Sequence, residues 1–71
     1  MWILSQDKTR MVEIKNDVQV QGNTIQVLTN SHWTKIGEFK TEERAKEVLE
    51  RIFGAMQNGG TTFQMPKETV K

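Results

Sequence analysis

From Thr41 to Asn58 the chain reads TEERAKEVLERIFGAMQN. Ala45, Val48, Leu49, Ile52, Phe53 and Met56 recur there at steps of three and four, which places them on one stripe of an α-helix. Thr41 is a suitable N-cap, and Glu42 and Glu43 after it meet the positive end of the helix dipole. Arg44 occupies the position where a capping box needs Glu or Gln, so only the simple cap is expected. Asn58-Gly59-Gly60 predicts the stop, since glycine takes the left-handed C′ conformation without a steric penalty.

Before the helix the pattern has a period of two. Trp2–Gln6 and Arg10–Ile14 read as short strands joined through Asp7-Lys8, a register that sets Ile3 beside Val12 and Leu4 beside Met11 on the opposite side. Asn16-Asp17 is the next turn. Val18 and Val20 alternate with Gln19 and Gln21, and Gly22-Asn23 then predicts a two-residue hairpin pairing Val20 with Ile25 and Val18 with Val27. A further strand from Trp33 to about Phe39 follows the Asn30-Ser31-His32 loop, with Ile36 near Ile25 and Trp33 near Leu28. Gly37 within it suggests a bulge that turns Phe39 inward. After the helix, Thr61–Met65 forms a last strand stopped by Pro66, which suits a sheet edge.

These elements define an α+β fold: a mainly antiparallel sheet of five or six short strands with one α-helix packed on one face. Residues 1–71 make a single small domain, with 66–71 as a loosely held tail. The helix covers Ile3, Val12, Ile14, Val18, Val20, Ile25, Val27 and Ile36. The opposite face carries Trp2, Leu4, Met11, Leu28 and Trp33, an apolar surface that suits an interface or a ligand. The plain alternative is a slip in register that returns some of them to the core.

Composition narrows the chemistry. The chain has no cysteine, so disulfides and thiolate metal sites are excluded, and packing or self-association must stabilise it. Ten basic and nine acidic residues spread along the chain argue against a dedicated nucleic-acid binder. The first residues are too soon polar for a signal peptide and no apolar run approaches a membrane span, so a cytoplasmic protein without membrane association is expected. His32 is the sole histidine, and no catalytic triad, phosphate loop or metal-spaced cluster stands out; neither enzymatic activity nor a cofactor is expected. Glu43, Glu47 and Glu50 read as a solvated helix face. The segment Thr29–Lys35 is richer: Trp33 can stack a flat ring, Lys35 can hold an anion, and His32 lies between the two and the turn. Arg44 and Arg51, seven apart on one edge of the helix stripe, could reach a pocket at a subunit interface. Taken singly, the two arginines suit solvated pairs with Glu47 or Glu50, and the turn suits an ordinary exposed hairpin.

The start MWILSQDK, the central GEFKTEERAKEVLERIF and the ending FQMPKE resemble a group of short uncharacterised proteins from bacteriophages and mobile elements of Gram-positive bacteria. The resemblance covers both ends and the helix, and least of all the hairpins between Val12 and Ser31. It implies a small protein that works by stoichiometric binding against host defence, in the host cytoplasm. Two classes of function follow. The first is a homo-oligomer that sequesters a small anionic nucleotide-like signal, with Trp33, His32, Lys35, Arg44 and Arg51 as ligand contacts and Trp2, Leu4, Met11 and Leu28 at an interface. The second is an interaction module that inhibits a host protein through its tryptophan-bearing sheet face. A single-stranded nucleic-acid binder ranks behind both, because of the neutral charge balance.

Overall fold

The computed structural model describes residues 1–14 and 17–67. The elements run β1 (Trp2–Leu4), β2 (Met11–Glu13), β3 (Val18–Gln21), β4 (Thr24–Thr29), β5 (His32–Glu38), α1 (Glu42–Gln57) and β6 (Thr62–Gln64). Among the described residues the fold is α+β, with six short strands and one helix. The strands do not form one sheet, however. They divide into two three-stranded sheets, β2-β1-β6 and β3-β4-β5. Asn16 of the expected second turn, and the tail beyond Lys67, lie outside the described residues.

In the first sheet β1 is central. It pairs antiparallel with β2, Ile3 opposite Val12 and Leu4 opposite Met11, as the alternation requires. On its other side β6 runs parallel, with Ile3 opposite Phe63. Pro66 follows this edge strand, where its missing N–H costs no ladder bond.

The second sheet is built from two tight hairpins. Gly22 at φ 61° turns β3 into β4 and sets Val20 opposite Ile25 and Val18 opposite Val27. Asn30 and Ser31 both take positive φ, 48° and 70°, the pattern of a type I′ turn, and Leu28 comes opposite Trp33. The β4–β5 register shifts between Ile25 and Gln26, because Ile36 is an extra residue on β5. That bulge reverses the alternation. Ile36 and Gly37 both face inward, and Phe39 is carried into the core. Gly37 is also a packing requirement, since a Cβ there would stand 2.6 Å from the Met65 methyl and 3.2 Å from the Phe39 ring.

Thr41 caps α1 by accepting the Arg44 N–H on its hydroxyl at 3.1 Å. At the other end Gly59 N–H donates to Met56 O and Gly60 N–H to Ala55 O, a Schellman stop with Gly59 at φ 74°. The helix lies against β3 and β4. Ala45, Val48 and Ile52 are buried together with Ile3, Val12, Ile25, Val27, Ile36, Phe39 and Met65. The stripe is only half used. Phe53 remains 60% exposed and Met56 47%. β3 is the last strand on this side, and Phe53 and Met56 border an open groove between it and the helix.

Candidate ligand-binding face

The expected spare apolar face is shared between two sheets. Trp2, Leu4 and Met11 lie on the outer side of β1 and β2, and Leu28 and Trp33 on the outer side of β4 and β5. Trp2, Met11 and Trp33 are exposed, while Leu4 and Leu28 are half-buried.

The outer side of the second sheet is largely polar. Gln19, Gln26 and Lys35 stand side by side across β3, β4 and β5. The Gln19 amide donates to the Gln26 side-chain oxygen at 3.2 Å. Trp33 precedes Lys35 by two residues, so its ring shares that face roughly 7 Å further along the strand, and it is 43% exposed. Lys35 meets Glu38 at 3.4 Å, and both side chains are about half exposed. An ion pair so placed contributes little and yields readily to another anion.

Beyond Lys35 the surface dips into a cleft of about 220 Å³, lined by Ser5, Gln6, Asp7, Arg10, Lys35 and Glu38 among others. This is where the two sheets meet. Gln6 N–H donates to Ile36 O at 2.9 Å, and the Gln6 side chain accepts Glu38 N–H at 2.8 Å while donating to Pro66 O at 3.1 Å. Ser5 is buried, and its hydroxyl donates to Asp7 Oδ1 at 2.7 Å. The same oxygen accepts from the Thr9 hydroxyl and the Thr9 N–H. These donors, Thr9 first and then Ser5, hold the Asp7 carboxyl below its ordinary range, at about 2. Asp7 therefore stays ionised, so the cleft holds two carboxylates, Asp7 and Glu38, beside two cations, Arg10 and Lys35.

The remaining expected contacts lie elsewhere. Strand neighbours point to opposite faces, so His32 does not share the Trp33 side. Arg44 pairs with Glu47 on the helix, and Arg51 is exposed on the same element. The helix packs on the inner side of β3 and β4, so neither arginine joins Trp33 and Lys35 within one chain. Arg10 was missed by sequence reading. The contacts that bring its loop to β5 join residues 32 apart, and no local pattern signals them.

Among the described residues no group of three or more His, Cys, Asp or Glu is placed to hold a metal ion, and no helix is long and apolar enough to cross a membrane. No protein-family model, curated protein or solved structure matches the chain.

Proposed function

We propose that this chain is a small non-enzymatic binding protein, and that the outer side of β3–β5 takes a compact ligand combining a flat ring with an anionic group. One observation carries the reading: Trp33 is 43% exposed on the same strand face as Lys35, beside a polar cleft that adds Arg10. Aromatic stacking supplies affinity for any base-like ring. Two cations supply charge-assisted hydrogen bonds to a phosphate. The Gln19–Gln26 amide row offers donors and acceptors to the polar edge of that ring.

With the resemblance to phage proteins as context, the function is sequestration of an anionic nucleotide-like signal of host antiviral defence, in the host cytoplasm. Titration calorimetry with mononucleotides and cyclic dinucleotides tests it. Saturable binding that weakens in Lys35→Ala and Arg10→Ala, but not in Arg51→Ala, is the expected result. No heat from any nucleotide overturns the reading.

The second reading, a module that inhibits a host protein, is favoured by a different observation. Trp2 and Met11 are 44% and 53% exposed on the outer side of the other sheet, and residues of these types anchor protein interfaces. Capture of a host protein that is lost in Trp2→Ala would place it first.

A further inference from the structure

We infer that β3 is a homodimerisation edge, at which two copies of the chain pair antiparallel about a two-fold axis through Gln19. The inference does not rest on the ligand reading. Among the described residues β3 ends its sheet, with β4 on one side only. Leu28 N–H donates to Asp17 O, which makes Asp17 and Leu28 a hydrogen-bonded pair. Antiparallel ladders alternate, so Gln19–Gln26 and Gln21–Thr24 are bonded pairs as well, and the N–H and C=O groups of Val18 and Val20 point away from β4. An edge that presents unpaired backbone groups is a template for another strand.

The free groups are symmetric about Gln19, which makes the edge complementary to itself. Setting Val18 opposite Val20 of the second copy, and Val20 opposite its Val18, forms two hydrogen-bonded pairs with Gln19 opposite Gln19 between them. On the outer side the Gln26–Gln19 amide row then continues across the axis into its own copy. On the inner side lies a mainly apolar groove of about 360 Å³ between β3 and the helix, lined by Val18, Leu49, Ile52, Phe53 and Met56, with Glu50 the one charged residue beside them. The same two-fold brings the two grooves together, an isologous contact in which each patch meets itself.

The area suits a weak dimer. Phe53 and Met56 leave on the order of 200 Å² of side chain in water per copy, taking about 150–250 Å² for each large side chain. Doubled across the axis this is about 400 Å², and two four-residue edge strands leave the total below roughly 1,200 Å², the range of weak, concentration-dependent association.

Cysteine scanning tests the register, because the chain has no cysteine of its own. Opposed residues of a non-bonded antiparallel pair have Cα atoms about 4.5 Å apart, within disulfide range. Gln19→Cys should therefore cross-link to a dimer under mild oxidation, and Gln21→Cys, on the same face but two residues from the axis, should not. The wild type should sediment at twice 8.2 kDa at high micromolar concentration, and Phe53→Glu should sediment as a folded monomer by circular dichroism. A monomeric wild type, or cross-linking of Gln19→Cys no faster than of Gln21→Cys, overturns the inference.

Discussion

Gln6 N–H donates to Ile36 O at 2.9 Å, and this single backbone bond ties the end of β1 to the bulge of β5. The bulge makes it possible, because an extra residue leaves a carbonyl outside the β4–β5 ladder. The Gln6 side chain completes the join by accepting from Glu38 N–H and donating to Pro66 O. Gln6→Ala keeps the backbone bond but removes both side-chain bonds. Water reaches the exposed Glu38 N–H, so the substitution should lower stability by about 0.5–1.5 kcal/mol in urea unfolding, whereas alanine at Gln57, which is exposed, should change it by less than about 0.5 kcal/mol.

What was legible in the sequence is what local pattern encodes. Thr41 and Gly59 bound the helix because capping depends on neighbouring residues alone. Gly22-Asn23 set the β3–β4 register throughout, and the Asn30-Ser31-His32 loop set Trp33 against Leu28, but the bulge puts Gly37 rather than the expected Ile36 opposite Ile25. Gly37 marked the bulge that sends Phe39 inward. The division into two sheets was not legible, since it depends on Gln6 meeting Ile36 across thirty residues of chain. The same long-range contact creates the cleft and brings Arg10 to Lys35. Helical periodicity placed Phe53 and Met56 on one stripe with the buried residues, but it carries no information on which strand is the last of the covering sheet.

The half-used stripe yields a contrast between adjacent residues. Ile52 is 1% exposed, so Ile52→Ala should cost about 2–5 kcal/mol and leave much of the protein unfolded at 37 °C. Phe53→Ala removes a larger ring from an open groove. Within one chain it should cost about 0.5 kcal/mol or less, measured at a protein concentration below self-association.

Gly54 is in the middle of α1, and a Cβ built on it meets nothing within 4 Å. Glycine costs about 1 kcal/mol relative to alanine in a helix interior. Gly54→Ala should therefore raise the melting temperature by about 4–8 °C for a domain of this size.

Asp7 contributes to the acid limb of the stability curve. Its carboxyl is lowered from 3.8 to about 2 by the Thr9 and Ser5 donors. A lowered folded-state value means that its stabilisation is present above the unfolded value and is lost as pH falls through about 2. Melting temperatures of wild type should thus decline more steeply from pH 4 to pH 2 than those of Asp7→Asn, and the two curves should run parallel above about pH 5. Parallel curves throughout would show that the Asp7 hydrogen bonds do not persist in solution.

Trp33 separates the functional readings more sharply than any other residue. Its ring is on the outer face and its loss opens no core cavity, so Trp33→Ala should remain folded with cooperative unfolding. If a base-like ring stacks there, the substitution removes about 1–3 kcal/mol of binding, a fall of roughly 5- to 150-fold in affinity. The β3 edge lies two strands away, so the sedimentation profile should be unchanged. Trp2 is also exposed, so fluorescence titration belongs on the Trp2→Phe background, where Trp33 is the sole reporter. A saturable change with a nucleotide, abolished when Lys35 is also replaced by alanine, is the expected result. An unchanged affinity in Trp33→Ala would remove stacking from the mechanism, and loss of host-protein capture in its place would assign this face to an inhibitory interface.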